Sequence, residues 1–297
     1  MGRRLVSALV GIHKVTILSL SPEKQADLWL ELKDTWGARP SGAIFNTVPG
    51  DIYNASVLDK ALEGVDTVIH AAALVRGCER DIEQAIHTNI KGTQRLIEAT
   101  KDRTDKVLLI STCAACNPSS VYGATKLLAE RMCMSANLNT ETRYSAIRLG
   151  NLIGSGVMRH FKRWRASNEI RVTDPHMTRF WITAEQAVDH ILHCLDIMEG
   201  GEIFVPKQPS ASLGDVIQVV APDCKVNPVG PQRGEGMHAT LVAAHEARYA
   251  TRLDHPMFII RPLVGCRNNA NWEYDSYTNP WRLTFQEIKE MVNDSST

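Results

Sequence analysis

Apolar positions along this chain fall into two alternating patterns. Short apolar-rich runs bounded by turn residues read as strands, and longer stretches with apolar residues every third or fourth position read as helices. The spacing predicts strands at Lys14–Leu18, Gly42–Val48, Val65–Ile69, Lys106–Ile110 and Arg143–Ile147. Between them it predicts helices at Arg3–Val10, Pro22–Thr35, Ala55–Leu62, Asp81–Thr100 and Ser119–Met134. That rhythm is the βαβ succession of a parallel, doubly wound sheet. Beyond Asn151 it breaks. Val157–Ser167 and Thr183–Met198 read as helices between short strands, and Pro, Gly and Asn become frequent between Pro206 and Pro231. The pattern predicts an α/β chain with a main domain over residues 1–155. Residues 156–297 form a smaller α+β lobe, partly interleaved with the first.

Composition narrows the classes. Lys+Arg and Asp+Glu balance at 33 each, and no charge block stands out, so neither nucleic acid nor an anionic membrane surface is indicated as a partner. No apolar run approaches the roughly 18 residues of a spanning helix. The start, Met1-Gly-Arg-Arg-Leu-Val-Ser, lacks the long apolar core and cleavage site of a signal peptide. Seven scattered cysteines, an odd number, fit a reducing compartment, and the expected location is cytoplasmic.

The chemistry concentrates in Val107-Leu-Leu-Ile-Ser-Thr-Cys-Ala-Ala-Cys-Asn-Pro-Ser-Ser-Val-Tyr-Gly-Ala-Thr-Lys126. The apolar run delivers Ser111 and Thr112 to a strand end. Tyr122 and Lys126 follow at i, i+4, which puts both on one helix face. A nearby ammonium favours a phenolate and is expected to draw the Tyr122 pKa down from about 10. A strand-end hydroxyl shares the same proton. Together these groups can move a proton on or off an alcohol oxygen while a hydride leaves its carbon. Cys113-Ala-Ala-Cys116 has no second pair of ligands for zinc, and Pro118 and Ser119 occupy the place where a redox motif opens a helix. No metal is expected. His70 is expected to pack near the strand ends.

With Asn89 and His70-Ala71-Ala72-Ala73, the pattern resembles the extended short-chain dehydrogenase/reductase superfamily. Further blocks narrow the resemblance: Asn117-Pro, Arg148-Leu-Gly-Asn151, Met177-Thr-Arg-Phe-Trp-Ile-Thr183, Gly200-Gly-Glu-Ile-Phe-Val-Pro-Lys207 and Phe258-Ile-Ile260. From Gly2 to about Val292 the chain is similar to the inverting UDP-N-acetylglucosamine 4,6-dehydratases, which make precursors for surface glycans. The resemblance implies a Rossmann-type sheet, NAD or NADP as cofactor, a UDP-sugar substrate and a homo-oligomer. It implies Thr112, Tyr122, Lys126 and Cys113 as catalytic residues. Cofactor contacts would come from Gly2, Ser19, Lys24, Asp51, Ala71, Ala72, Ala73, Asn89, Tyr122 and Lys126. Substrate contacts would come from Asn151, Arg179 and Arg233. Asp51 reads equally as a turn or helix cap, Arg179 as a tie between the lobes, and Arg233 as a solvated loop charge.

Two departures qualify what the resemblance implies. The family places an Asp-Lys pair for proton removal at C5 and water loss at C6 where this chain has Cys113-Ala114. Elimination is therefore expected to suffer. A C4 oxidoreductase or epimerase needs only Tyr122, Lys126 and cofactor, and a non-catalytic sugar-nucleotide-binding homologue needs less. In addition, Gly2 falls on the last glycine of a dinucleotide-binding turn and Arg3–Val10 on its helix. The first strand and first two glycines have no counterpart. The expectation is a truncated or mis-started reading frame, or a short protein that binds cofactor weakly.

Overall fold

The run Val107-Leu108-Leu109-Ile110 lies in an interior strand of the main sheet with all four side chains buried. Successive strand residues face opposite sides. Val107 and Leu109 join one hydrophobic core, whereas Leu108 and Ile110 join another. A strand buried on both faces needs helices on both, and the rest of the chain supplies them. The computed structural model describes residues 1–36, 45–75, 78–153, 168–230, 234–252, 257–261 and 271–294.

The first part runs α1 (Gly2–Leu9), β1 (Val15–Ser19), α2 (Pro22–Trp36), β2 (Phe45–Pro49), α3 (Ala55–Ala61), β3 (Thr67–His70), α4 (Ile82–Ala85), α5 (Gly92–Thr100), β4 (Lys106–Thr112), α6 (Val121–Ala136) and β5 (Arg143–Leu149). Then come β6 (Asn151–Leu152), β7 (Glu169–Val172), β8 (Thr178–Ile182), α7 (Ala184–Ile197), β9 (Ile203–Pro206), β10 (Ser210–Ser212), α8 (Leu213–Val220) and β11 (Lys225–Pro228). The described chain closes with β12 (Thr240–Val242), α9 (Ala244–Ala247), β13 (Ala250–Arg252), β14 (Met257–Ile260), β15 (Tyr274–Asp275) and α10 (Phe285–Asp294).

Six strands form the main sheet in the order β13-β14-β9-β5-β4-β3. β3, β4, β5 and β9 run parallel, and β14 and β13 add antiparallel strands. Leu58 of α3, Leu96 of α5 and Ala129, Cys133 and Met134 of α6 share one core with the sheet. Leu5 of α1 and Ala187, Val188, Ile191 and Cys194 of α7 share the other. This is a doubly wound, Rossmann-type α/β fold. A third core, with Ile153, Ile170, Trp181, Val216, Ile217 and Ile288, belongs to β6–β8, α8 and α10. Short polar side chains fix the helix starts. Ser120 Oγ accepts from Gly123 N at 3.1 Å to open α6, and Thr183 with Gln186 forms a capping box on α7.

β1 and β2 make a separate, parallel two-stranded sheet. Among the described residues no ladder joins β1 to β3.

The helix predicted over Asp81–Thr100 is not continuous. Asp81 caps α4, and a π-helical segment, Ile86–Lys91, lies between α4 and α5. The wider turn puts Thr88 and Asn89 side by side on the buried face. A search for period 3.6 does not register it. The helix predicted at Val157–Ser167 lies outside the described residues, as do residues 42–44 of the strand predicted at Gly42–Val48. No described helix is long and apolar enough to cross a membrane.

Candidate active site

β4 ends in two hydroxyls, and strand alternation separates them. Ser111 turns inward, where its Oγ donates to Glu130 Oε1 at 2.5 Å. Thr112 faces the other way. Its Oγ1 accepts from Ala114 N at 3.3 Å, opening a short 3-10 turn, Cys113–Ala115. The same hydroxyl is near enough to the Tyr122 phenol to lower its pKa, so the structure brings Thr112 and Tyr122 together.

The electrostatics differ from the expectation. Burial pushes the Tyr122 phenol up to about 12, the neighbouring thiols of Cys113 and Cys78 push the same way, and only the Thr112 hydroxyl opposes them. Lys126 does not draw the phenol down. Its Nζ donates to the Ile110 carbonyl at 2.7 Å beneath the sheet edge. Burial lowers the ammonium to about 8, with the Glu130 carboxylate opposing. In this apolar surrounding, loss of solvation outweighs the i, i+4 charge.

Gly123 explains how α6 comes so close. A Cβ there would lie 2.3 Å from the Ala114 carbonyl oxygen, so only glycine lets the helix pack under the Cys113–Ala115 turn. Other segments meet at the same helix start. Glu79 Oε1 accepts from Val121 N at 2.6 Å, and Ser119 Oγ donates to Gly234 O at 2.8 Å.

Beyond β3, Ala71 and Ala72 are exposed and Ala73 half-buried. Asn89 locks the residue after them. Its Oδ1 accepts from Leu74 N at 2.7 Å, while Nδ2 donates to Leu74 O and to Thr125 Oγ1, both at 2.9 Å. His70 packs inside against Thr93 Oγ1 at 2.9 Å, and burial, with the Lys126 charge adding to it, lowers it to about 3, so the ring is neutral.

The remaining candidates are dispersed. Ser19 ends β1, where its carbonyl accepts from Gly50 N at 3.0 Å. Lys24 is exposed in the first turn of α2. Asp51 Oδ1 accepts from Tyr53 N at 2.9 Å, the turn role weighed for it. Gly2 opens α1. Asn151 heads β6, half-buried. Arg179 donates to the carbonyls of Thr178, Met237 and Gly236 at 2.7, 2.9 and 3.0 Å, so it ties β8 to the 236–237 segment while its charge acts on the Cys113 thiol. Arg233 lies outside the described residues.

The sequence did not single out the buried network behind the site. Arg148 bonds Glu130 and Glu246, and Cys116 Sγ donates to Glu246 Oε2 at 3.4 Å. Glu130, four residues after Lys126, shared its helix face and carried a usable signal. Glu246 had none. Cys78, the second thiol acting on Tyr122, had none either.

The family model described as polysaccharide biosynthesis protein matches residues 1–261. The inverting UDP-N-acetylglucosamine 4,6-dehydratase of Campylobacter jejuni is 32% identical over 271 residues, 82% of this chain and 81% of that protein. A UDP-glucose 4-epimerase of Rickettsia bellii is 29% identical over 95% of this chain and 87% of its own. Among solved structures, Pen from Bacillus thuringiensis superposes with a TM-score of 0.89 at 30% identity, covering 99% of this chain and 94% of that one.

Proposed function

The chain belongs to the polysaccharide biosynthesis protein family, and on that footing we propose that it is an NAD- or NADP-dependent enzyme acting on a UDP-sugar. The reaction class is 4,6-dehydration of UDP-N-acetylglucosamine. One observation carries the reading: the Thr112 hydroxyl at the carboxyl end of β4 stands by the Tyr122 phenol and acts on it, with Lys126 buried one helical turn on.

The residues at the strand ends suit the nicotinamide half of such a cofactor. Ala71 and Ala72 leave an exposed shelf with no side chain beyond Cβ. The Lys126 ammonium has three donors, of which one meets the Ile110 carbonyl, so Tyr122 and Lys126 would hold the adjoining ribose. When bound, the cofactor supplies a hydride acceptor. The phenol is neutral at pH 7, so Tyr122 first releases its own proton to solvent. As the phenolate, with Thr112 donating to it, Tyr122 then takes the proton of the sugar C4 hydroxyl and is the phenol again. In this reading the sugar falls to Asn151, and the diphosphate to Arg179 and Arg233.

Elimination is the weak step. Ala114 has no titratable group, and burial holds the Cys113 thiol above its ordinary value despite Thr112 and Arg179, so it is a poor base. That observation favours a second reading, C4 oxidation or epimerisation without water loss.

The test mixes the full chain with UDP-N-acetylglucosamine and NAD or NADP and follows reduced-cofactor absorbance, with the sugar products read by mass spectrometry. Tyr122→Phe should lower the rate by about 10²–10⁴-fold. An unchanged rate would remove Tyr122 from the mechanism. Binding of the UDP-sugar by calorimetry, with no reduction and no product, would leave a non-catalytic homologue.

A further inference from the structure

We propose that Glu130 is a positioning residue for the reaction: one helical turn beyond Lys126, it is the buried carboxylate that keeps the Lys126 side chain charged inside the site. The inference rests on the reading of Tyr122 and Lys126 given above. Lys126 and Glu130 stand at i, i+4 on α6, hence on one face of the helix. Both are buried, at 3% and 0% exposure. A lysine that has lost its water needs a negative charge nearby to remain an ammonium. The Ile110 carbonyl that accepts from Nζ is a dipole, not a charge. Other titratable groups around Lys126 offer none at neutral pH. Burial raises the Tyr122 phenol and the Cys133 thiol on α6 and lowers the His70 imidazole on β3, so all three are uncharged. Arg148 on β5 brings a second positive charge, which Glu130 and Glu246 share. Among the described residues this leaves the Glu130 carboxylate to support the ammonium, and it acts in that direction.

The geometry also shows why this carboxylate stands one step back. Its Oε1 accepts from Ser111 Oγ at 2.5 Å and from Arg148 Nε at 3.0 Å, and its Oε2 accepts from Arg148 Nη2 at 2.8 Å. Both oxygens are thereby held, and Lys126 bonds Ile110 instead. A carboxylate in contact with Nζ would occupy the donors that a cofactor ribose needs. One held by Ser111 and Arg148 supplies its charge and leaves the other ammonium donors to that ribose. Ser111 also sits between Ile110, whose carbonyl receives Lys126, and Thr112, which acts on Tyr122. One side chain therefore steadies the strand end from which both groups are placed.

The test reads the charge of Lys126 directly, by carbon NMR of isotope-labelled lysine Cε in the full chain, with Lys126→Met assigning the signal. In wild type Lys126 should titrate near 8, whereas buried lysines without such support fall to about 5–6. Glu130→Gln keeps the size and an acceptor for Ser111 but loses the charge. It should lower the titration by about one pH unit or more. Glu246→Gln breaks the same Arg148 network from its other side and should move Lys126 less. The alkaline limb of kcat/KM for the cofactor should move down with the Glu130→Gln titration, because the neutral amine has fewer donors for the ribose. Three results would overturn the proposal. The first is a wild-type titration at about 6 or below, which needs no variant to fold. The second is an unshifted Lys126 in Glu130→Gln. The third is equal shifts in the two variants, since loosening of the core would then be the cause. If wild type reduces no cofactor at any pH, the activity proposed above fails, and the titration still decides whether Glu130 holds the charge.

Discussion

Arg148 meets Glu130 through two nitrogens, Nε at 3.0 Å from Oε1 and Nη2 at 2.8 Å from Oε2, and neither side chain is exposed. Glu246 closes on the same guanidinium from the far end of the chain, at 2.7 and 2.8 Å. Burial alone would lower the Arg148 pKa, but the two carboxylates raise it well above its ordinary range. Burial likewise opposes the Glu246 charge, and Arg148 overcomes it. One cation thus joins β5, α6 and α9.

Replacing that cation should be costly. Arg148→Met leaves two buried carboxylates without their partner, and removing one side of a buried pair costs about 3–5 kcal/mol. Urea unfolding of the variant should show a loss of that size. A loss under about 1 kcal/mol would mean that water or Arg131 takes over, and the network would not be holding these elements together.

Lys126 should leave a signature in stability against pH. Its folded value is about 8 against 10.5 for the free group, so between those values the unfolded chain holds the proton and the folded chain does not. Stability attributable to Lys126 therefore rises with pH across that window and is lost as pH falls through about 8. Wild type should gain on Lys126→Met from pH 8 to 10.5, by a few kcal/mol at about 1.36 kcal/mol per pH unit. A pH-independent difference between the two proteins would refute this placement of Lys126.

Gly123→Ala should disturb the site from beneath. The added Cβ meets the Ala114 carbonyl at 2.3 Å, whereas at Gly2 a Cβ meets nothing within 4 Å. Overpacking of this kind costs about 1–3 kcal/mol. Thermal unfolding should separate Gly123→Ala from a near-neutral Gly2→Ala. Equal melting temperatures would show that the Cys113–Ala115 turn yields freely.

Cys113→Asp combined with Ala114→Lys should increase dehydrated UDP-sugar. Each positioned acid or base is worth roughly 10²–10⁴-fold, and the native pair supplies one raised thiol and one methyl group. Mass spectrometry of the sugar nucleotides reads the loss of water directly. If wild type loses water at least as fast as the double variant, another side chain carries the elimination.

The strand-and-helix frame was legible because β4 is an unbroken apolar run and because Thr112, Tyr122 and Lys126 are tied together by local spacing. What escaped depended on burial or on distance along the chain. The direction of the Tyr122 shift is set by desolvation, which no i, i+4 rule contains. The π-helical segment at Ile86–Lys91 changes the turn width without changing the kinds of residue. Arg179 reads either as a phosphate contact or as a tie between the lobes, and only the fold supplies the backbone carbonyls of Thr178, Gly236 and Met237 that engage it. Cys113-Ala-Ala-Cys116 reads as a pair, but Cys116 turns inward onto Glu246.

The reach of Arg148 also bears on how the chain is born. Its second carboxylate lies 98 residues downstream. At about 5–20 residues per second, a ribosome takes roughly 5–20 s to add that stretch. Throughout that interval β5 must be sheltered with its guanidinium answered by Glu130 alone. Completion of the sheet's interior waits for translation to pass Glu246, so a nascent chain stalled before that point carries a guanidinium still short of its Glu246 hydrogen bonds into the reach of chaperones and proteases.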